Sequence, residues 1–352
     1  MIEIDGSLYS GSGTIVRQSV AFSALTGKPV HIVNARIKRP KPGLRAQHVQ
    51  VVESIGQLVS AKIEGLAVGS IEITFEPGSL QAGRHYLWDI GSAGSTTMLA
   101  LAVLPVLAFA GSPVKVELRG GLFQDFAPSF FHLQHVILPL LERMGLDAVA
   151  GMGRPGYVPA GEGILSLTVK PVRQPLRGLS LVEAGPVRRI WGIALSSHLE
   201  ARRVSKRMAD TAKHALATAG YGAEIEEQND TTSLQPGAAL ALFADLGGDV
   251  RIGADQAGAL RRSAESIGRY VAKNLLQDLR TGATLDRYAA DQIIPFAALA
   301  EGESRFRIPA ETEHVQTNAW LVRTFLGADV RIEDHQLTIN GIGRPCRPEG
   351  SA

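Results

Sequence analysis

Two periods of apolar residues alternate along this chain, and the alternation itself recurs. Ile2-Glu3-Ile4-Asp5 has the period of a strand, and a Gly/Ser loop leads from it into a helical pattern over 15–25 that Gly27 closes. A strand over 30–34, a helix over about 46–59 and strands over 61–64 and 70–75 complete a βαβαββ unit. The same order then returns: strand 86–90, Gly/Ser loop 91–97, helix 98–109, strand 114–118, helix 130–144 stopped by Gly145, and strands 147–150 and 164–169. Two units with one order form an internal repeat, and both place a Gly/Ser loop before the first helix.

A third, interrupted unit is expected at the end: helix 291–299, strand 304–308, a helix over 315–326, and strands 329–333 and 336–340. In its second helix Val315, Leu321, Val322, Phe325 and Leu326 recur at helical spacing, and Gly327 is the stop. The missing first strand is assigned to 179–182, which makes 185–278 an insertion. Inside the insertion the pattern predicts strands 189–195 and 238–245, a basic helix 202–217 and a helix 259–279, a small α/β domain. The expected fold is therefore α/β (α+β), with 1–184 and 279–343 as a large repeat domain, 185–278 as the insert and 344–352 as a flexible tail.

Composition narrows the class. With 352 residues, 45% of them hydrophobic, the chain can bury a large core. Cys346 is the only cysteine, which excludes a disulfide framework and a cysteine metal cluster and fits a reducing compartment. The N-terminus lacks the features of a signal peptide, and the longest apolar run, 98–110, is too short to span a bilayer, so no membrane contact and a cytoplasmic location are expected.

Candidate chemistry begins with His314, at the start of the 315–326 helix, where backbone N–H groups and the helix dipole favour an anion. Taken alone, such a His also reads as a surface or capping residue. The two Gly/Ser loops expose N–H donors to an anion, although a ligand-free turn explains either one singly, and neither is a Walker A or a dinucleotide fingerprint. Arg36, Lys38, Arg39, Lys41 and Arg45 surround Pro40, Pro42 and Gly43, either a stiffened phosphate-binding segment or a solvated basic loop. Arg202, Arg203, Lys206 and Arg207 read as a charged helix face that could also touch a nucleic acid backbone.

Several motifs in order carry a resemblance. They are Asp5-Gly6 through Gly11-x-Gly13 with Arg17, Lys41-Pro42-Gly43-Leu44-x-x-Gln47-His48, Ile90-Gly91-Ser92-Ala93-Gly94-Ser95, and Gly120-Gly121 with Ala127-Pro128. Gly156-Tyr157-x-Pro159-x-Gly161-x-Gly163, Ala290-Asp291-Gln292 and His314-x-x-Thr317-Asn318 follow. The chain resembles the RNA 3′-terminal phosphate cyclase family. That resemblance implies three βαβαββ repeats with an α/β insert in the third, in agreement with the pattern reading. It implies ATP with Mg²⁺ or Mn²⁺, and an RNA with a 3′-phosphate end as partner; a homodimer is left open. Carried onto this chain, it makes His314 the nucleophile that forms a histidyl-AMP. Arg17, Arg39 and Gln47 would line the phosphate site, Pro128 and Tyr288 would sandwich the adenine, and Asp291 and Gln292 would sit beside the nucleotide.

The chain departs from the family pattern where Ser10-Gly11-Ser12-Gly13-Thr14 replaces Glu-Gly-Gly-Gly-Gln, whose Glu is expected to bind the metal, so the metal ligands are left unassigned. Leu101 stands where a Gln is common, Leu122-Phe123 where Thr-Asp/Asn is usual, and Glu162 interrupts a Gly triplet. Two alternatives follow: a catalytically silent relative that binds RNA or ribonucleoprotein, and an adenylyl transferase with a different phosphorylated acceptor. The repeat also resembles that of enolpyruvyl transferases, in architecture alone.

Overall fold

Three sheets of one topology repeat along the chain. The computed structural model describes residues 1–81 and 83–346. The first unit is β1 (Ile2–Asp5), α1 (Gly13–Thr26), β2 (Val30–Val33), α2 (Ala46–Val59), β3 (Lys62–Glu64) and β4 (Ile73–Glu76), with sheet order β1-β2-β4-β3. The second is β5 (His85–Asp89), α3 (Thr96–Ala108), β6 (Val114–Gly120), α4 (Phe130–His132), a π turn (Leu133–Ile137), α5 (Leu138–Arg143), β7 (Ala148–Arg154) and β8 (Gly163–Val169), with order β5-β6-β8-β7. In each, the first two strands are parallel and the other pairings antiparallel.

The third unit opens with β9 (Ser180–Leu181) and is then interrupted by β10 (Val187–Ser197), α6 (Val204–Thr218), β11 (Glu224–Asp230), β12 (Gly237–Leu246), β13 (Val250–Ala257) and α7 (Ala264–Arg280). It resumes with α8 (Ala289–Gln292), α9 (Ile294–Leu299), β14 (Glu301–Arg307), α10 (Glu313–Leu326), β15 (Asp329–Glu333) and β16 (Gln336–Ile342). Its sheet order, β15-β16-β14-β9, repeats the pattern, with β9 and β14 parallel. The interrupting strands make a sheet of their own, β11-β10-β12-β13.

The repeats turn their first helices inward. In α1 every residue from Gly13 to Leu25 is buried, and α3 is buried throughout except Met98; an all-round apolar helix has to lie inside. Helix α1 packs against α2, α3 and α10, so elements from all three repeats share one core. Arg17 is the only charged residue of α1 and is itself buried.

Local chemistry explains where expected elements differ. The helix expected over 130–144 contains a π turn, because Pro139 has no N–H for the His135 carbonyl; Arg251 Nη1 donates to that oxygen instead (3.2 Å). The helix expected over 291–299 is divided between α8 and α9, with Pro295 in the first turn of α9. The basic helix expected from Arg202 begins at Val204, because Arg203 adopts a left-handed conformation (φ 53°). The helix expected from 259 starts at Ala264, after the N-cap Ser263. Of the tail expected from Arg344, that residue donates to the carbonyls of Leu25 and Leu299, and 347–352 lie outside the described residues.

Candidate active site

Four helix N-termini converge on one place. Ser12 caps α1 by accepting from the Thr14 N–H (3.2 Å), Thr312 caps α10 by accepting from the Val315 N–H (3.2 Å), and Ser95 caps α3 by accepting from the Met98 N–H (3.1 Å). At the start of α2 the Arg45 N–H donates to His48 Nδ1 (2.9 Å). The ends then meet. Thr14 Oγ1 lies 3.2 Å from His314 Nδ1, and Gln47 Oε1 accepts from the Ser95 N–H (3.1 Å). A Cβ on Gly13 would stand 2.1 Å from His48 Nε2, so α1 and α2 meet this closely only with glycine there. Convergent N-termini supply unpaired N–H groups and partial positive charge, the physical requirements of an anion site.

The charged groups extend that field. Arg17 Nη2 donates to Thr14 Oγ1 (3.2 Å); burial pushes the guanidinium down to about 10 against the opposing pull of Asp291. Arg39 donates from Nε to the Gly11 carbonyl (3.3 Å) and from Nη2 to that of Ser10 (2.7 Å). Lost hydration, then Arg17 and Arg39, lower the His314 imidazole below its usual value, with Glu313 opposing. His48 is lowered further by burial and by Arg17, Arg36 and Arg45. Asp291 is pushed up to about 7, because burial outweighs both Arg17 and the Gln292 Nε2 that donates to its Oδ2 (2.8 Å). The cluster is cationic yet keeps its imidazoles neutral.

A second network adjoins it. Thr97 Oγ1 donates to the Pro128 carbonyl (2.7 Å), and the next residue, Ser129, donates its N–H to Asp255 Oδ2 on β13 of the insert (2.8 Å). His132 Nε2 sits 3.0 Å from each Asp286 oxygen, both side chains fully buried. Asp286 accepts in turn from the N–H groups of Tyr288, Ala289 and Gly253. The Tyr288 ring meets the His132 ring edge-on at 5.6 Å. Tyr288 and Asp291 lie three residues apart at the turn that forms α8, so one helical turn joins the two networks.

The expected residues Arg17, Arg39, Asp291, Gln292 and His314 come together in the first network, and Pro128 and Tyr288 belong to the second. Gln47 holds the loop before α3 and has no bond to His314. Thr14, Thr317 and His48 were named only as parts of motifs and given no role; no spacing in the chain announces a partner such as Thr14, 300 residues from His314.

Three of the four departures lie away from this cluster. Leu101, Leu122 and Phe123 are core residues, with Phe123 packed on Phe131 and Tyr157, and Glu162 is an exposed loop residue with left-handed backbone. Ser10 is at the centre. Its N–H donates to Thr317 Oγ1 (3.2 Å), and its hydroxyl lies 2.9 Å from that oxygen and 3.0 Å from Ser12 Oγ. Neutral hydroxyls bonded to one another beside Arg17 and Arg39 do not fit a divalent ion. Among the described residues no group of three or more His, Cys, Asp or Glu is placed to hold a metal.

The model of the family RNA 3′-terminal phosphate cyclase matches residues 8–332. A protein of Methanopyrus kandleri named RNA 3′-terminal phosphate cyclase is 38% identical, covering 99% of this chain and 99% of its own. Proteins of the same name from Hyperthermus butylicus and Pyrococcus furiosus are 38% and 37% identical over 97% and 93% of this chain, and 98% and 94% of theirs. The chain belongs to the RNA 3′-terminal phosphate cyclase family. Among solved structures, the enolpyruvyl transferase NikO from Streptomyces tendae matches at TM-score 0.42 and 13% identity, over 98% of this chain and 50% of that one.

Proposed function

We propose that this protein is an enzyme that uses ATP to convert an RNA 3′-terminal phosphate into a 2′,3′-cyclic phosphate, through a covalent histidyl-AMP on His314. The observation that carries the reading is the pairing of His314 Nδ1 with Thr14 Oγ1 where four helix N-termini, Arg17 and Arg39 meet. Thr14 Oγ1 already accepts from Arg17; a second lone pair accepting Nδ1–H leaves Nε2 with its lone pair free. Nε2 attacks the α-phosphorus, and the bond to pyrophosphate breaks with its electrons on the leaving group. An oxygen of the RNA 3′-phosphate then attacks the same phosphorus as the N–P bond breaks. Finally the 2′-hydroxyl attacks the RNA phosphate, AMP leaves, and the hydroxyl proton passes to solvent. Arg17, Arg39 and Gln47 hold phosphates, Pro128 and Tyr288 take the adenine between them, and Asp291 with Gln292 borders the nucleotide. The arginines stabilise the charge that builds on the transferred group.

In this reading Mg²⁺ or Mn²⁺ arrives with the ATP phosphates and is not held by the protein, in keeping with the hydroxyl cluster at Ser10. Residues 185–278 act as a separate small domain against a large domain of 1–184 and 279–343; their separate sheet supports this division. A cytoplasmic location fits the lone Cys346 and the absence, among the described residues, of any helix long and apolar enough to cross a membrane. The burial of Leu122 and Phe123 removes the feature that favoured a different acceptor. The test is incubation with α-labelled ATP and either metal: acid-labile, alkali-stable label on the protein, absent from His314→Ala, is expected. Folded protein that takes no label overturns the enzyme reading in favour of a silent RNA-binding relative.

A further inference from the structure

We propose that Tyr9, backed by Trp320, is the platform on which the 3′-terminal base of the acceptor RNA stacks. The proposal rests on the reading above, and three observations lead to it.

The first is position. Tyr9 directly precedes Ser10, whose N–H and hydroxyl are bonded to Thr317, one helical turn from His314 on α10. Arg39 grips the Ser10 and Gly11 carbonyls, which sets the basic loop beside the same backbone, and Lys38 packs next to Gly11. Tyr9 is therefore next in the chain to a residue anchored one turn from His314, and the exposed Lys38 of the basic loop packs beside Gly11, two residues further on.

The second is conformation. Tyr9 adopts φ 44°, a left-handed backbone that is a genuine outlier for a bulky residue, and its ring rests on Trp320 with centroids 5.3 Å apart and planes tilted by 37°. Even so, 49% of the residue stays in solvent. A single exposed aromatic is ordinary; one held out by a strained backbone and backed by a second aromatic beside a cationic loop is built like a base-stacking surface for single-stranded nucleic acid.

The third is the stereochemistry of the reaction. His314 is the entering group in one displacement at the α-phosphorus and the leaving group in the next. When both are in line, the RNA phosphate enters from the side on which pyrophosphate left. In the proposed function the phosphates on that side are held by Arg17 and Arg39, and Arg39 itself binds the Ser10 and Gly11 carbonyls next to Tyr9. The nucleotide that carries the phosphate consequently lies over the Tyr9 loop. Stacking tolerates any base, so the platform positions an RNA end without reading its sequence.

The experiment compares a 3′-phosphorylated oligoribonucleotide with the same oligomer lacking its terminal base. Removing Tyr9 as Tyr9→Ala is expected to raise KM for the intact RNA about tenfold, while Tyr9→Phe stays near the wild type. Labelling of His314 from ATP, which involves no RNA, keeps its rate in both variants and shows that they are folded. The abasic oligomer is expected to lose about tenfold with the wild type and nothing further with Tyr9→Ala. An unchanged KM in Tyr9→Ala, an abasic penalty equal in both proteins, or labelling lost in step with the RNA reaction overturns the proposal. If the wild type takes no label, the enzyme reading has failed, and fluorescence anisotropy with the same two oligomers reads the Tyr9 comparison as binding affinity.

Discussion

Thr14 Oγ1 and His314 Nδ1, 300 residues apart in the chain, lie 3.2 Å apart at the N-termini of α1 and α10. The contact fixes the ring plane and, with Arg17 already donating to the same oxygen, favours a proton on Nδ1 and a lone pair on Nε2. Thr14→Val keeps the shape of the side chain and removes the oxygen. Single-turnover labelling with ATP is expected to slow about tenfold, the worth of one neutral hydrogen bond near its upper range, with little change in KM for ATP. Thr14→Ser should restore the rate. A Val variant at full rate would mean that the imidazole is oriented by something else.

The same surroundings predict a pH profile. The His314 value lies below its usual one, so the neutral ring predominates near neutral pH and loses its lone pair as pH falls through the lowered value. Labelling of His314 should therefore decline on the acid side with a midpoint below the ordinary 6.5. Arg39→Ala removes one of the cations that lower the value and should move the decline to higher pH. A wild-type midpoint at or above 6.5 would contradict the electrostatics of the site.

Asp291 gives a separate signal. Its carboxyl titrates at about 7 because it is buried, while Arg17 holds it partly ionised. A phosphate bound to Arg17 brings negative charge toward Asp291 and raises its value further, so nucleotide binding near neutral pH should take up a fraction of a proton. Calorimetry of ATP binding in two buffers of different ionisation enthalpy measures that uptake directly. In Asp291→Asn the buffer dependence should vanish; its persistence would assign the proton to another group.

The sequence made the repeats legible because each begins with the same unit: a strand, a Gly/Ser loop or interruption, then an apolar helix. The insert was harder to read. Strand β11 is Glu-Ile-Glu-Glu-Gln-Asn-Asp, an edge strand with Ile225 as its only buried apolar residue, so no two-residue period marks it. Strand β13 carries Gly253 and Asp255 among its buried positions, which hides its period too. In the site, His314, Arg17 and Arg39 were legible through motifs that hold their spacing. The bonds of Ser10 to Thr317 and of Thr14 to His314 were not, since small hydroxyl residues have no distinctive pattern and their role depends on which helix ends meet. Leu122 and Phe123 misled for the opposite reason. Their types suggested an altered substrate face, whereas the fold buries both in the core, Phe123 against Phe131 and Tyr157.

The π turn in the second repeat can be tested through one carbonyl. Pro139 denies His135 O its helical donor, and Arg251 of β13 fills the place from the insert, while also pairing with Asp245 and lying over the Trp191 ring. Arg251→Ala should lower unfolding free energy by about 1–2 kcal/mol, measured by urea titration, because it leaves that carbonyl without its charged donor. Pro139→Ala returns an N–H at the i+4 position and lets the segment relax toward a regular helix. In the Pro139→Ala background the carbonyl no longer depends on Arg251, so the Arg251→Ala penalty should shrink by roughly half, a coupling of about 0.5–1 kcal/mol in the double-mutant cycle. Strictly additive effects would show that the π turn is set by packing of Leu133, Val136 and Ile137 and not by the proline.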